Sequence, residues 1–213
     1  MKGILFGDIH SYRDLNLILS KPVIPPAQVK VNMIDIPGGD GSIDLTEAHG
    51  KINYYDRECI FTFAVFPYED FEQKKREVSN LISGKRFKIT LDKDPDYYWI
   101  GRCYVNEYAS DKKKYTIVIG ATVAPYKMRQ TETVYTFTLG APKTVVLPNE
   151  RKWAIPTIET QEPSAQIKFG GETYTLANAG TYHDPDICLR DGDNKLTISG
   201  SGDITFRWRE GAL

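Results

Sequence analysis

The sequence lacks the segments that carry a protein into or across a membrane. It has no run of about 20 apolar residues, which is the length a helix needs to span a bilayer. Residues 1–8 lack the long apolar core of a secretory signal peptide. We therefore expect no membrane partner.

Cysteine is also scarce, with three residues in a chain of 213. Cys59, Cys103 and Cys188 are widely spaced and include no Cys-x-x-Cys pair, so the patterns of a zinc knuckle and of a thioredoxin-type redox site are missing. We expect free thiols, mostly buried in strands. Free thiols are typical of proteins that assemble in a reducing compartment.

No charge of one sign dominates the chain, whose formal net charge is -1. Residues 1–130 contain 19 basic and 17 acidic side chains, and residues 131–213 contain 8 and 11. Domains that bind nucleic acids are far more basic, so no nucleic-acid partner is predicted. Lys112, Lys113 and Lys114 follow an aspartate and are interpreted as a solvated turn.

Catalytic motifs are absent as well. His10 and Ser11 are adjacent, with Asp8 and Asp14 close by, but a base must meet its nucleophile in space, and adjacency does not establish that. No Gly-x-Ser-x-Gly elbow occurs. We interpret these residues as a polar turn after the first strand. We predict no catalytic residue and a protein that is not an enzyme, a cell-wall hydrolase being the alternative.

Metal and phosphate sites are not predicted either. His49 and His183 have no His or Cys partner at a metal-ligand spacing. Residues 184–186 and 191–194 are rich in aspartate but lack the spacing and terminal glutamate of an EF-hand, so a hairpin turn is the favoured interpretation of both. The glycine-rich residues 37–41 lack the Lys-Ser/Thr ending of a P-loop. No metal and no cofactor are therefore expected.

β-forming residues are what the sequence has in abundance, including 13 tyrosines. Alternating or continuous β-prone runs predict strands in the first 130 residues at 4–6, 59–66, 86–91, 99–107 and 115–124, with a turn at 92–96. One helix is predicted, over about Glu69 to Ser83, with Asp70 as N-cap and Gln73 at the capping-box position. Gly84 is placed to end it. The apolar face of this helix consists of Phe71, Val78, Leu81 and Ile82.

A projecting hairpin arm is predicted over about residues 30–50. Pro22, Pro25 and Pro26 favour an extended approach. Two strand-like segments, containing Ile34 and Ile43, then flank the dense turn signal at 37–41. We predict that this arm carries a subunit interface formed by Ile36, Pro37, Gly38, Asp40, Asp44, Leu45 and Glu47.

The pattern of residues changes near residue 130. Beyond it, apolar residues no longer recur at the spacing of a helix. Short β-prone runs are predicted as strands at 134–139, 143–147, 154–159, 165–169, 172–176, 187–189, 195–199 and 203–209. We therefore predict two domains, 1–130 and 131–213, the second a β-sandwich. Trp153 and Trp208 are open to two interpretations, a saccharide-stacking platform or sandwich core, and the core is favoured.

Several parts of the chain, taken together, match a known pattern. They are Phe6–Leu15, Ile36–Glu47, Tyr54, Arg57, Ile60–Phe63 and Gly192–Arg209. In combination they resemble the distal tail proteins of siphophages and of related prophages of Gram-positive bacteria.

This resemblance implies a mainly β fold. The N-terminal domain would be a β-sandwich or barrel with one packed helix and an arm, and the smaller C-terminal domain a galectin-like β-sandwich. Six copies would form a ring in the virion, at the distal end of the tail. The ring would join the tail tube to the baseplate, tail fibre and receptor-binding proteins, after assembly in the bacterial cytoplasm.

Direct contact with the host is the alternative function. Larger relatives carry insertions in the C-terminal domain that bind host sugars, and 83 residues leave no room for one. A carbohydrate-binding module that contacts the cell wall would use Trp208 as its saccharide contact.

Overall fold

The protein is described by a computed structural model that covers residues 3–48, 50–65, 70–111 and 114–213. Chain contacts divide it into two compact units, Met1–Lys127 and Met128–Leu213. The fold is mainly β, as predicted. None of the described residues form a helix with the length and apolar character needed to cross a membrane. The predictions made for His49, Phe66, Lys112 and Lys113 lie outside the described residues.

The first unit is built on an antiparallel sheet. Its elements are β1 (Ile4–Phe6), β2 (Ile9–His10), β3 (Leu17–Val23), β4 (Met33–Asp35), β5 (Ser42–Asp44), β6 (Arg57–Val65), α1 (Phe71–Ile82), β7 (Arg86–Leu91), β8 (Asp94–Asp111) and β9 (Lys114–Val123). Seven of the strands form the sheet in the order β2-β1-β7-β8-β9-β6-β3. Strands β4 and β5 pair only with each other.

This sheet curls over its own core. Three strands separate β1 from β6, so a flat sheet would hold the two roughly 19 Å apart. The ring of Phe6 in β1 nevertheless lies 6.3 Å from that of Phe61 and 6.4 Å from that of Phe63, both in β6. All three rings are buried, and they meet across the interior. The first unit therefore has the barrel-like form that was expected.

The single predicted helix is confirmed as α1. Asp70 caps it, because its Oδ1 accepts the backbone N–H of Gln73 at 2.8 Å. Val78 and Ile82 are buried, and Phe71 and Leu81 pack partly buried against the core of the unit. The apolar stripe read from the sequence is thus the face that the helix buries.

The turn predicted at residues 92–96 is shorter in the structure. Leu91 pairs with Asp94, so only Asp92 and Lys93 connect β7 to β8. Strand β8 consequently runs for 18 residues, with an irregularity between Val105 and Glu107. Proline and aspartate at 94–96 suggested a longer turn, but ladder pairing with β7 overrides that local preference.

The second unit is a β-sandwich. Its strands are β10 (Lys127–Arg129), which spans the division between the units, β11 (Thr133–Thr138), β12 (Lys143–Asn149), β13 (Thr157–Thr160), β14 (Ala165–Phe169), β15 (Glu172–Leu176), β16 (Gly180–Tyr182), β17 (Gly192–Ser199), β18 (Asp203–Trp208) and β19 (Gly211–Ala212). Two four-stranded sheets, β11-β18-β13-β16 and β12-β17-β14-β15, enclose one core. Ile158, Ile167, Ile198 and Phe206 are fully buried in it.

Two local predictions in this unit are wrong. Residues 187–189 form no strand, and only Leu189 makes an isolated bridge, to Ala154. The turn predicted at 191–194 begins earlier in the chain, because Gly192, the first residue of β17, already pairs with Asn149 of β12. The Asn194 amide closes this turn, donating to Arg190 O at 2.9 Å while its Oδ1 accepts Arg190 N–H at 2.8 Å.

Candidate subunit interface

Strands β4 and β5 form an isolated hairpin. Met33 lies opposite Asp44, Ile34 opposite Ile43, and Asp35 opposite Ser42. In the connecting turn, residues 36–41, the N–H of Gly39 donates to Ile36 O at 3.1 Å. Gly38 and Gly41 have φ of +72° and +78°, values that glycine adopts without the steric cost borne by other residues.

Backbone pairing continues below the hairpin and makes the arm one ribbon. Leu45 N–H donates to Asn32 O at 2.8 Å, Lys30 N–H to Asn53 O at 2.8 Å and Tyr55 N–H to Gln28 O at 2.9 Å. The ring of Tyr54 packs edge-on against Tyr126, with 5.8 Å between centroids. The base of the arm is therefore fixed to the first unit, whereas its outer part is supported by its own ladder.

The arm exposes apolar side chains that a folded domain would normally bury. Every residue from Gln28 to Asp44 is exposed, and Val31, Ile34 and Ile43 are 63, 50 and 52% exposed. A two-stranded hairpin without a covering layer is only marginally stable in water. Contiguous exposed apolar surface marks interaction sites. The arm is therefore the candidate interface of this protein.

The two faces of the hairpin differ in chemistry. Ile34 and Ile43 are directly opposite each other and make one face apolar. The other face, which we name the acidic face, consists of Met33, Asp35, Ser42 and Asp44. No lysine or arginine occurs between residues 31 and 50, so the acidic face has no cation within the hairpin.

Local hydrogen bonds fix both carboxylates of the acidic face. Asp35 Oδ1 accepts the Ser42 hydroxyl at 2.9 Å. Asp44 Oδ1 accepts the Thr46 N–H at 2.8 Å, and the hydrogen bonds from the Thr46 side chain and backbone lower the pKa of Asp44. Hydrogen bonds to the ionised form stabilise it. The acidic face is thus an ordered pair of negative charges flanking an exposed methionine.

The structure places all seven predicted interface residues on this arm. Ile36, Pro37, Gly38 and Asp40 lie in the turn, Asp44 in β5, and Leu45 and Glu47 just beyond it. Their role in an interface stays a prediction. Sequence reasoning missed Val31 and Met33, which are 63 and 50% exposed, against 42% for Ile36. The signal that could have found them is an apolar residue at every second position before a glycine-rich turn.

His10 and Ser11 have structural partners. His10 Nδ1 accepts the N–H groups of Tyr12 and Arg13 at 3.2 and 3.1 Å, so its proton lies on Nε2, which faces Asp92 Oδ1 at 3.1 Å. Ser11 is fully buried and its Oγ accepts the N–H of Ile4 at 3.1 Å. Nδ1 thus holds the local turn after β2, as the polar-turn interpretation suggests, and Nε2 ties that turn to the β7–β8 connection.

Within residues 3–48, 50–65, 70–111 and 114–213, no three His, Cys, Asp or Glu side chains converge to hold a metal ion.

Trp208 has no free ring face. It is 4% exposed, and the Tyr135 ring stacks on it with 5.7 Å between centroids. Its assignment as a saccharide contact is therefore corrected: strand β18 alternates, and Trp208 falls on the buried side with Phe206.

An open cleft of about 710 Å³ lies elsewhere in the second unit. Its walls include Trp153, Tyr174, Asp186, Arg190 and Asn194. The Arg190 guanidinium lies 5.2 Å from the centre of the Trp153 ring. The cleft combines aromatic surface with hydrogen-bonding groups, a combination that the sequence did not reveal because its residues come from separate loops and strands.

Comparison with known proteins identifies the fold. No protein-family model matches the chain, and no curated protein matches it either. Among solved structures, the chain is similar to Dit (gp 19.1) of SPP1, which is described as a paradigm of the hub adsorption apparatus in phages that infect Gram-positive bacteria. The similarity covers 100% of both chains with a TM-score of 0.72 and 14% sequence identity. The fold that the resemblance implies is therefore confirmed over the whole chain.

Proposed function

We propose that this protein is a structural component of a phage tail tip, where six copies form a ring at the distal end of the tail. The ring joins the tail tube to the baseplate, tail-fibre and receptor-binding proteins, and the protein is part of the virion. The whole-length similarity to the SPP1 hub protein supports this role. The observation that carries it is the exposed arm, which has no partner surface described in its own chain beyond its base.

The chemistry of the arm suits assembly of identical copies. A contact between two different surfaces of the same chain repeats from copy to copy, and it closes into a ring when the rotation allows. An arm that lies across a neighbour adds interface area without enlarging the core of either copy. The exposed apolar residues of β4 and β5 would then be buried only in the assembly.

The cysteines fit assembly in the host cytoplasm. Cys59 in β6 and Cys103 in β8 flank Ala121 of β9 in register, so they lie two strand spacings, roughly 10 Å, apart. Cα atoms more than about 7 Å apart do not form a disulfide without backbone movement. All three cysteines are free, and the fold does not depend on an oxidising compartment.

The test removes the arm and keeps its base. Asn32 O and Leu45 N–H are hydrogen-bonded, so replacing Met33–Asp44 by Asn-Gly closes a shortened hairpin with a two-residue turn. We expect this variant to remain folded by circular dichroism but to be a monomer by size exclusion with light scattering, whereas the unaltered protein gives annular particles in negative stain at high concentration.

The matched control lies in the second unit. Val134 and Val146 are 45 and 40% exposed, and replacing both by serine removes exposed apolar surface away from the arm. This control should assemble normally. An armless variant that still forms rings, or an unaltered protein that stays monomeric up to millimolar concentration, contradicts the proposal of a self-assembling ring.

The cleft of the second unit favours a second candidate function, binding of a cell-wall saccharide. The ring of Tyr174 in the wall of the cleft can stack on a sugar, and Asp186 in the same wall offers a carboxylate to its hydroxyl groups. A glycan array with the full chain tests it, with Tyr174→Ala as the variant that should lose the signal. If no glycan gives a signal, saccharide binding is rejected and the second unit has a scaffold role.

A further inference from the structure

A patch of basic side chains lies on the outer face of the sheet of the first unit. Arg86 in β7 is directly opposite Arg102 in β8, and Lys88 is directly opposite Ile100. All four are exposed, Ile100 by 37%. We name these four residues the basic patch. Arg86, Ile100 and Arg102 line an open groove of about 420 Å³.

The charges of this patch are not balanced within the described residues. None of the ion pairs there involves Arg86, Lys88 or Arg102. Arg102 donates to Gly84 O at 2.5 Å, and Lys88 Nζ lies 4.0 Å from the centre of the Tyr98 ring. Like charges directly opposite each other on a sheet are destabilising. A surface that keeps two arginines in this position is suited to an anionic partner.

Nearby carboxylates do not neutralise the patch. Asp56 lines the same groove and reduces its charge by one. Glu58 in β6 lies two strands from Arg102, beyond Thr122 of β9. Its two carboxylate oxygens accept the hydroxyls of Thr122 at 2.7 Å and Tyr104 at 2.9 Å. The three cations of the basic patch therefore outnumber the two nearby carboxylates, Asp56 and Glu58.

The acidic face of the arm has the complementary layout. On the arm, Met33 has Asp44 directly across the ladder and Asp35 two residues along its own strand. On the patch, Ile100 has Lys88 directly across the ladder, and Arg102 lies two residues along. Residues two apart on a strand are separated by about 7 Å, so the spacing of the charges around the central apolar residue is the same on both surfaces.

We propose that the acidic face of one copy's arm docks on the basic patch of the next copy, with Met33 against Ile100 and Asp35 and Asp44 facing the basic residues. This inference rests on the proposed function and names the surface that receives the arm. Because arm and patch are different surfaces of one chain, the contact passes from copy to copy in the way that a ring requires. Complementary charges also fix the register of docking and exclude wrong partners.

Charge reversal with rescue tests the pairing. Arg86→Glu with Arg102→Glu, and separately Asp35→Lys with Asp44→Lys, should each raise the concentration for half-assembly by about 100-fold, since like charges brought together at an interface are strongly unfavourable. The variant with all four changes should recover to within about tenfold of the unaltered protein. Arg76→Glu with Lys168→Glu is the control, because both residues are exposed elsewhere and the change in charge is the same.

A milder variant guards against damage to the hairpin. Asp35→Asn with Asp44→Asn keeps an oxygen to accept the local hydrogen bonds and removes only the charges. It should weaken assembly by about tenfold, and added salt should weaken the unaltered protein but change this variant less. If this variant assembles as tightly as the unaltered protein and with the same dependence on salt, the inference is overturned.

Cross-linking gives a readout that does not depend on assembly strength. In a Cys188→Ser background, Met33→Cys protein mixed with Ile100→Cys protein should form a disulfide-linked pair under mild oxidation, while neither alone should do so across this contact. No cross-link in assembled rings overturns the inference.

The outcomes separate this inference from the proposed function. If the armless variant fails to assemble while Arg86→Glu with Arg102→Glu assembles normally, the arm docks elsewhere and only the inference fails. If the reversed patch fails and the four-fold variant does not recover, the patch binds another anionic partner, which also overturns the pairing. If the armless variant forms rings, the proposed function of the arm fails.

Discussion

Two hairpins of this chain have similar local chemistry and opposite surroundings. The β14–β15 hairpin and the β4–β5 arm are both antiparallel ribbons closed by glycine-containing turns. In β14, Ala165 and Ile167 are fully buried and Gln166 and Lys168 are exposed, whereas every residue of β4 and β5 is exposed. The first hairpin is stabilised by packing within its own chain, while the apolar side chains of the arm are exposed.

The largest expected effect is the loss of stability when a buried side chain of the β14–β15 hairpin is truncated. Replacing the fully buried Ile167 by alanine should lower the free energy of unfolding by about 2–5 kcal/mol, because it removes apolar contacts and leaves a cavity. Replacing Ile34 of the arm by alanine should change it by less than about 0.5 kcal/mol. Urea unfolding followed by fluorescence measures both. Equal losses would show that the arm is packed in the isolated chain.

Changing the apolar face of the arm should move the effect from stability to assembly. Ile34→Ser with Ile43→Ser should leave the unfolding midpoint almost unchanged but weaken self-association by about tenfold or more, since the proposed ring assembly buries these two side chains between copies. Sedimentation velocity over a concentration series measures this. An unchanged association constant would mean that this face stays in solvent.

Thiol chemistry compares buried core with exposed arm. Burial raises the pKa of Cys59 to about 11 and that of Cys103 to about 12. A thiol whose pKa is raised by folding favours the folded state below its unfolded pKa, and that contribution is lost as the pH rises from about 9 toward 11 and 12. Stability should therefore decline progressively above about pH 9.

Reagent access checks the same point at neutral pH. Cys59 and Cys103 should resist a thiol reagent in the folded protein, half-exposed Cys188 should react, and a cysteine introduced at Met33 should react fastest. Rapid labelling of all three native cysteines would contradict the burial of the first unit's core.

The smallest expected effect concerns one carboxylate. Hydrogen bonds from Thr46 lower the pKa of Asp44 below its ordinary value of about 3.8. The contribution of Asp44 to the stability of the folded state is therefore present above pH 3.8 and is lost as the pH falls through the lowered pKa. Thr46→Ala should move the pKa of Asp44 back toward its ordinary value, measured by carboxyl NMR titration. Thr46→Ser, which keeps the hydroxyl, is the control; an unchanged pKa in the alanine variant would assign the shift to another cause.

Local patterns predicted the elements that depend on neighbours in sequence. The capped helix α1, the strands at 165–169 and 172–176, and the arm with its turn all follow from residues a few positions apart. Local patterns failed where pairing decided the outcome. Residues 94–96 joined a strand, residues 187–189 did not, and the three residues of β16 were not predicted at all because so short a run carries no period.

The candidate site divides in the same way. The arm and its predicted interface residues could be placed from prolines, glycines and alternating apolar residues. The basic patch could not, because Arg86 and Arg102 become neighbours only through the pairing of β7 with β8. The cleft beside Trp153 and the burial of Trp208 depend likewise on which strands and loops meet.

By itself, the sequence determined that this chain forms strands, one capped helix and a glycine-turned arm, because those features are encoded by contacts within a few residues. Only the tertiary structure decided that the sheet curls to bring Phe6 onto Phe61, that His10 meets Asp92, and that the arm's apolar residues are left uncovered. Burial and charge pairing depend on residues far apart in the chain, and no local pattern specifies which of them will meet.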